Sequence, residues 1–304
     1  MFDTVTIFLE QTPAAAVSNS LSEIQEITNT NTGETFFSGK LKNLKVKVKS
    51  NGVSLFGSLA KFHLGNNLET LTRKDTEQAI EELSDTLSLP MHKGKVYRFD
   101  VAQNFVLANP LYEYLSQFGD ARYFKKSELK NKKSLLYTNS KRAMSFYDKL
   151  AELKKQRESI PAMFQHRNVL RYEIQFRHKI AAQFHQQSIT AAQLFDESFY
   201  ISAVNQWHSN YFSIHKKKQV KFQINTIKDV RKFKDQLALG HIQTIGEQEI
   251  ISMIEQSKNE LSKMQYQRLK QKVREITNSK ALTESSEVIA ELDTKVNQAA
   301  MYYR

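Results

Sequence analysis

The hairpin predicted for residues 44–64 is the feature that most restricts the fold. From Leu44 to Lys49, apolar residues alternate with lysine, as in a strand with one buried and one solvated face. Asn51-Gly52 follows, and both residue types tolerate the positive φ angles of a two-residue hairpin turn. We interpret Val53 to Leu64 as the returning strand, so the chain is expected to contain an antiparallel sheet.

Further patterns extend this sheet and then give way to helices. Strands are predicted at 5–9, 96–105 and 169–177, with a second hairpin around Asn139-Ser140. Thr72 to Asp75 has the pattern of a capping box before a helix, and a charged helix is predicted over 148–158. Beyond residue 189 helical spacing predominates, near 190–209, 226–239, 246–257, 259–277 and 284–302.

These patterns predict an α+β fold with two parts. Residues 1–188 are expected to form a catalytic domain, a mainly antiparallel sheet with packed helices. Residues 189–304 are expected to form an all-helical domain that binds DNA or a partner. The segment 227–257 has the spacing of a helix–turn–helix, although pairs of helices are common in proteins.

The charge of the chain indicates a polyanionic partner. The formal net charge is +12, and lysines are clustered, as in Lys125-Lys126, Lys154-Lys155 and Lys216–Lys218. Such a surplus favours nucleic acid, although solvated lysine faces on a basic soluble protein are the alternative. The chain has no cysteine, which excludes disulfides and thiolate metal sites. No apolar run reaches the ~20 residues of a membrane span, and no signal peptide is recognisable, so we expect a cytoplasmic protein without a membrane partner.

Two predicted strands have a carboxylate in the middle, where acidic residues are depleted. In one strand, Tyr97, Phe99 and Val101 share the apolar face, and Asp100 lies on the other face beside Arg98. In the other strand, Glu173 and Gln175 lie opposite an apolar face, between Arg171 and Arg177. If the strands pair, Asp100 comes close to Glu173, and such oxygen ligands suit Mg²⁺ or Mn²⁺. The alternative is two solvated faces with cross-strand ion pairs.

Tyr147 lies where a predicted strand becomes a helix. A tyrosine hydroxyl can attack a phosphodiester and retain the phosphate, although its pKa near 10 requires electrophilic help. Lys149 is placed to lower that pKa or to neutralise the phosphate. The alternative is a packing role, because the chain has 12 tyrosines.

One histidine adjoins a polar turn, in the segment from Ser58 to Asn67. His63 is a candidate metal ligand, and an ordinary surface or core histidine is the alternative. The sequence has no His-apolar-His metal motif, no P-loop and no Gly-rich dinucleotide fingerprint, so no nucleotide cofactor is expected.

Four blocks of this sequence, in order, resemble the phage and plasmid replication proteins of the gene II/X type. They span residues 58–67, 98–102, 146–153 and 170–175. The last three blocks are also similar to plasmid initiators of the staphylococcal type, which have an Arg-x-Asp strand, a Tyr-x-Lys segment and an Arg-x-Glu strand. The resemblance covers about residues 1–190.

The resemblance implies a nicking-closing enzyme with a tyrosine nickase-like fold. Tyr147 corresponds to the nucleophile, which forms a 5′-phosphotyrosine intermediate, and Asp100 and Glu173 correspond to residues around an Mg²⁺ or Mn²⁺ ion. His63 and Gln175 are further candidate metal ligands. The candidate DNA-binding residues are Lys61, Asn66, Asn67, Arg98, Arg171 and Arg177.

The function that follows is initiation of rolling-circle DNA replication by metal-dependent nicking of one strand at a specific site. The expected substrate is single-stranded or locally melted origin DNA in the cytoplasm of a bacterial host, with a host helicase and a host polymerase as further partners. Two alternatives are a strand transferase of the relaxase or transposase type and a non-catalytic DNA-binding protein.

Overall fold

The computed structural model of the protein describes residues 1–11, 17, 20–31, 33–129, 134–220, 229–279 and 283–304. The chain forms two compact units, residues 1–215 with 291–304 and residues 216–290. The first unit extends past the boundary that we placed at 188/189. The reason lies in the helix at 197–212, because its aromatic residues Tyr200, Trp207 and Tyr211 are buried against the sheet of the first unit.

Ten strands form one sheet. The strands of the chain up to residue 216 are β1 Phe2–Glu10, β2 Ser22–Thr28, β3 Thr35–Leu41, β4 Leu44–Lys49, β5 Gly52–Ser58, β6 Lys95–Leu107, β7 Phe118–Ala121, β8 Lys125–Leu129, β9 Ser134–Thr138, β10 Arg142–Asp148, β11 Asn168–Phe176 and β12 Ile214–Lys216. The order in the large sheet is β2-β3-β4-β5-β1-β6-β11-β10-β9-β8, and its paired strands are antiparallel. β7 and β12 form a separate pair. The predicted α+β class with a mainly antiparallel sheet is confirmed.

The helices lie between and after these strands. They are α1 Leu59–Leu64, α2 Arg73–Leu87, α3 Leu111–Leu115, α4 Lys149–Gln156, α5 Ile180–Gln183, α6 Glu197–Phe212, α7 Val230–Ile245, α8 Glu247–Gln256, α9 Lys263–Asn278 and α10 Glu287–Tyr303. The predicted capping box starts α2: the Thr72 side chain accepts from Asp75 N, and the Asp75 side chain accepts from Thr72 N. Of the predicted helix at 226–239, residues 226–228 lie outside the described residues.

The predicted strand 53–64 is wrong after residue 58, where α1 begins. Ser58 caps this helix by accepting a hydrogen bond from Lys61 N, and Gly65 ends it with a φ of 77°. Leu59, Ala60 and Phe62 are buried. Apolar residues at this spacing fit a helix as well as a strand, and the capping residues decide between the two.

The pairing of β1 with β6 has two irregularities, and the one at Tyr97 changes which side chains of β6 share a face. Between the pairs Thr6–Arg98 and Ile7–Val96, β6 has one extra residue, Tyr97. A bulge of this kind turns the extra residue out of the regular alternation. Tyr97 is therefore 53% exposed, and our assignment of this residue to the apolar face was wrong, whereas Phe99 and Val101 are buried as predicted.

The two faces of the sheet differ in character. Tyr172, Ile174 and Phe176 of β11 are fully buried on one face, where the Tyr172 hydroxyl donates to Trp207 O at 2.9 Å. The alternate residues of the same strand, Arg171 and Glu173, lie on the opposite, polar face.

The second unit is predominantly helical, as predicted for this part of the chain. Leu239 and Ile242 of α7 and Ile276 of α9 form its core cluster, with Ile250 and Val273 packed against it. A short strand pair, β13 Lys218–Val220 with β14 Thr283–Ser285, is an addition to the all-helical region that we predicted. α7 and α8 meet at Gly246, in the segment where the sequence suggests a helix–turn–helix.

Candidate active site

Strands β6, β10 and β11 bring the predicted acidic residues and Tyr147 to one region of the polar face. β6 and β11 pair so that Asp100 is opposite Gln175 and Ala102 is opposite Glu173. Asp100 and Glu173 are therefore diagonal neighbours, as the sequence predicted for paired strands. On the other side of β11, Tyr147 is opposite Arg171. The face is not solvated here, because Asp100 and Glu173 are at most 8% exposed.

Arg171 lies at the centre of this cluster. Its guanidinium donates to Asp3 Oδ2, to Glu173 Oε2 at 3.1 Å and to the backbone oxygen of Asn67 at 3.2 Å. Burial alone would lower the pKa of Arg171, but the neighbouring Asp3, Tyr147 and Glu173 raise it. The residue is 2% exposed and its guanidinium forms buried ion pairs, and the DNA contact predicted for Arg171 stays a prediction.

Glu173 accepts hydrogen bonds from three further side chains. Ser145 Oγ donates to Oε1 at 3.0 Å, Gln175 Nε2 donates to Oε1 at 2.8 Å, and Tyr147 OH donates to Oε2 at 3.2 Å. Burial by itself raises the pKa of Glu173, but Arg171 and the hydrogen bonds from Gln175 and Ser145 lower it below the ordinary value. Glu173 is therefore an ionised carboxylate in contact with the Tyr147 hydroxyl.

The pKa of Asp100 is shifted in the opposite direction from that of Glu173. Arg98 Nε and Nη2 donate to its two oxygens at 3.0 and 2.7 Å. Burial nevertheless raises the pKa of Asp100 to about 7, with a further contribution from the charge of Glu173, although Arg98 opposes the shift. Two neighbouring carboxyls whose pKa values are displaced in opposite directions are typical of sites that perform chemistry.

Tyr147 is placed by the junction of β10 with α4. Asp148 follows it as the N-cap and accepts from Ala151 N at 2.9 Å, so the chain turns into the helix directly after the tyrosine. Burial raises the pKa of Tyr147, and the nearby Arg171 opposes that shift. Lys149 is fully buried and pairs with Glu152, and burial together with Arg171 lowers its pKa.

The other predicted site residues lie in different surroundings. His63 Nδ1 is 2.8 Å from Glu82 Oε2 of α2, and the structure does not bring this histidine into the cluster of Asp100 and Glu173. Lys61 pairs with Glu158. Asn66 shapes the turn after α1, since its Oδ1 accepts from Leu68 N at 3.0 Å. Arg177 is exposed and donates to Gln175 Oε1.

Three residues of the cluster were missed by the sequence analysis. Asp3 is directed toward Arg171 and Ser58 by a bulge in β1, where three steps from Phe2 to Val5 match two steps in β6. Asn104 donates to the backbone oxygens of Asn67 and Leu68, both at 2.9 Å. Ser145 is the third. The sequence pattern that pointed to Asp100 and Glu173, a carboxylate inside an apolar strand, is also present at Asp3.

The residues of this cluster fit a magnesium-like ion as part of its ligand set. Asp100, Glu173 and the amide oxygen of Gln175 are hard oxygen donors, and Asn67 Oδ1 is a buried acceptor that has no hydrogen-bond partner among the residues that the structure describes. Within the described ranges, no group of three His, Cys, Asp or Glu residues is arranged to hold a metal. Mg²⁺ is commonly bound by one or two carboxylates together with waters and substrate phosphates, and the cluster offers that number.

The fold and the cluster define an α+β protein with a tyrosine at a strand–helix junction, in contact with a carboxylate and close to the buried Arg171. Residues 1–210 match the family model Phage_CRI, which describes the N-terminal region of a phage replication-associated protein. The chain therefore belongs to this family of phage replication-associated proteins, which supports a role as a replication initiator. No protein with a curated description matches the chain. In the described part of the chain, no helix has both the length and the apolar character needed to cross a bilayer.

Proposed function

We propose that the protein initiates rolling-circle replication by nicking one strand of origin DNA with Tyr147. The observation that supports this assignment is the hydrogen bond of 3.2 Å from Tyr147 OH to Glu173 Oε2 in a member of a replication-associated family. The hydroxyl oxygen attacks phosphorus, the O3′ atom leaves and becomes a free 3′-hydroxyl, and the 5′-phosphate stays on the tyrosine. The new 3′ end is the primer for a host polymerase.

Glu173 receives the proton of the attacking hydroxyl. The pKa of Tyr147 is raised by burial, so the resting phenol is neutral and needs a base. Glu173 is ionised and within hydrogen-bonding distance, which is the geometry required of a general base. Arg171 positions Glu173 through its 3.1 Å hydrogen bond.

Two basic residues, the buried Lys149 and the partly exposed Arg98, contribute charge near the reacting phosphate. Lys149 begins α4 two residues after the nucleophile, and its lowered pKa makes it suited to give a proton to the departing O3′ atom. Arg98 is partly exposed beside Asp100 and is available to a phosphate oxygen. Donors placed where negative charge develops lower the barrier to transesterification.

Asp100 and Glu173 would hold Mg²⁺ or Mn²⁺, with Gln175 as a further oxygen donor. Such an ion, when bound, neutralises charge on the phosphate oxygens. Arg98 donates to both oxygens of Asp100, so metal binding requires this guanidinium to shift or to share the carboxylate.

Detection of a covalent protein–DNA adduct tests the proposal. The full chain is incubated with candidate origin DNA as single strand and as supercoiled plasmid, with Mn²⁺, and the adduct is digested and mapped by mass spectrometry. We expect the nucleotide on the peptide that contains Tyr147. A peptide containing a different tyrosine would contradict the assignment of the nucleophile, and DNA binding without any nick would favour a non-catalytic role.

A further inference from the structure

The polar face of the sheet continues away from the candidate active site into an exposed surface of basic and aromatic side chains. Lys45, Phe56, Thr6 and Arg98 form one row across β4, β5, β1 and β6. Lys47, Ser54 and Phe8 form the neighbouring row. We call the set Lys45, Lys47, Phe8, Phe56, Tyr97 and Arg98 the basic–aromatic strip.

The aromatic members of the strip are accessible. Phe56 is 44% exposed and Tyr97 is 53% exposed, and the ring of Tyr97 lies 6.5 Å from the ring of Phe8. The bulge at Tyr97 is what turns this ring out of the core. Exposed apolar patches that are bordered by polar residues commonly mark binding sites.

The charge of the strip indicates the chemistry of its ligand. Lys45 and Lys47 have no carboxylate partner among the described residues, whereas the flanking Lys49 and Lys95 pair with Glu34 and Glu10. The Lys47 amine lies 5.3 Å from the ring of Phe36, which is a cation–π distance. Unpaired lysines next to exposed rings suit a flexible polyanion that carries flat bases.

The strip is joined to the candidate active site through Arg98. Its guanidinium lies 5.7 Å from the centre of the Phe56 ring and donates to Asp100. From β5 to β10, which bears Tyr147, there are four inter-strand spacings, or about 19 Å at about 4.8 Å each. A single strand of several nucleotides covers this distance.

We propose that the basic–aromatic strip binds single-stranded DNA adjacent to the scissile phosphate, with bases stacked on Phe56 and Tyr97 and phosphates on Lys45 and Lys47. This inference rests on the proposed function, and it adds the path of the substrate outside the site of chemistry. Single strands are favoured over duplex because the bases of a duplex are already stacked on one another.

Affinity for an oligonucleotide of about 12 nucleotides tests the strip, measured by fluorescence anisotropy over a salt series. The full chain with Tyr147→Phe is used throughout, so that no cleavage occurs. Phe56→Ala and Tyr97→Ala should each weaken binding about 5- to 100-fold, the effect of losing one stacked base. Lys45→Glu and Lys47→Glu should each reduce the slope of log affinity against log salt by about 0.7 or more.

Matched controls use residues outside the strip. Phe37 is 42% exposed on β3, but it is paired with the buried Val48, so its side chain lies on the opposite face from Lys47. Lys74 is exposed on α2. Phe37→Ala should change affinity less than about 2-fold, as for an ordinary surface substitution. Lys74→Glu should leave the salt slope near its original value.

Three results would overturn the strip. The first is that Phe56→Ala and Phe37→Ala bind the oligonucleotide with equal affinity. The second is that Lys47→Glu and Lys74→Glu have equal slopes of log affinity against log salt. The third is that the protein binds duplex DNA more tightly than single-stranded DNA. Circular dichroism on each variant excludes unfolding as the cause. In a second measurement, photocrosslinking of an oligonucleotide containing iodouracil should label the peptides of β5 and β6.

The strip and the nicking activity can fail separately. If the unaltered chain forms an adduct on Tyr147 and the strip variants bind DNA as tightly as the original, the nicking activity is supported and DNA binding by the strip is contradicted. If the strip variants bind DNA more weakly and the unaltered chain forms no adduct, DNA binding by the strip is supported and the nicking activity is contradicted.

Discussion

The two faces of β11 differ, because one packs into the apolar core and the other contributes to the candidate active site. On the apolar face, Tyr172 stacks on Phe146 with ring centres 4.5 Å apart and an angle of 4° between the rings. On the polar face, the adjacent residues Arg171 and Glu173 form a buried network of ion pairs. The apolar face gains free energy from area removed from water, whereas the polar face must compensate buried charges with partners before it can be stable.

The comparison extends to three tyrosines whose hydroxyls have different partners. Tyr147 on the polar face donates to a carboxylate, and Tyr172 on the apolar face donates to a backbone carbonyl, that of Trp207. Tyr137 is also buried and donates to Gly119 O. Tyr147 is partly buried, whereas Tyr172 and Tyr137 are fully buried. Both the partner of the hydroxyl and the burial of the ring therefore separate the candidate nucleophile from the structural tyrosines.

The largest expected effect is on Tyr147. Tyr147→Phe removes the attacking oxygen and keeps the ring, so nicking and the covalent adduct should both disappear while binding to origin DNA persists. The measurements are a nicking assay on supercoiled plasmid and an electrophoretic mobility shift. The exposed Tyr112 provides the control, because Tyr112→Phe should nick at the original rate. Nicking by Tyr147→Phe would refute the role of the polar face in the reaction.

The next largest effect concerns the two carboxylates. Glu173→Gln keeps the size of the side chain but removes the proton acceptor, so the nicking rate should fall about 10²- to 10⁴-fold. Asp100→Asn should also reduce nicking, and the loss should be partly relieved by a higher concentration of Mn²⁺ if Asp100 is a metal ligand. Single-turnover nicking over a metal titration measures both. If both variants nick at the original rate, the site of chemistry lies elsewhere.

A third effect is on stability and tests whether the polar face depends on its ion pairs. Arg171→Ala leaves Asp3 and Glu173 buried without their shared partner, so the free energy of unfolding should fall by about 3–5 kcal/mol. The exposed Arg177, directly after the end of β11, is the matched control, and Arg177→Ala should leave stability unchanged. Urea unfolding followed by circular dichroism measures both variants. Equal stabilities would mean that the ion pairs of Arg171 add nothing to the fold.

The smallest effect is expected on the apolar face. Tyr172→Phe removes one buried hydrogen bond and keeps the stacked ring, so the free energy of unfolding should fall by about 1 kcal/mol. Nicking by the folded protein should keep its original rate, since this hydroxyl points away from Glu173 and toward α6. A loss of nicking as large as that of Tyr147→Phe would break the distinction between the two faces.

Much of the fold was predictable from local patterns. Alternation and turn residues located β4, β5 and the hairpin of β9 with β10, and a capping box located α2. β2 and β3 were not predicted. Their residues lack a clear alternation, and β2 is almost entirely exposed, so its position depends on pairing with β3 rather than on a buried face. The end of β5 was also missed, because the apolar spacing of residues 59–64 fits either a strand or a short helix.

The candidate site was predicted in part, and the parts that were missed depend on geometry. Asp100 and Glu173 can be recognised in the sequence as mid-strand carboxylates, and Tyr147 as a tyrosine before a helix. The resemblance to replication proteins then selected these three from other residues of the same types. Asp3 belongs to the same cluster but is 168 positions away from Arg171, and only the bulge in β1 directs it there. His63 was predicted to be a metal ligand only because histidine commonly binds metals, whereas in the structure its imidazole contacts Glu82.

The sequence by itself determined the periodicity of β11 and of β6 from Arg98 onward, and hence which of these residues share a face, because side chains alternate along any extended strand. It also determined the turn from β10 into α4, through Asp148. Only the tertiary structure decided that the polar face is buried, that Arg171 is an internal ion-pair partner, and that Tyr97 is exposed. The physical reason is that burial, strand register and bulges depend on neighbours distant in the chain, whose free energies of packing and desolvation no local pattern contains.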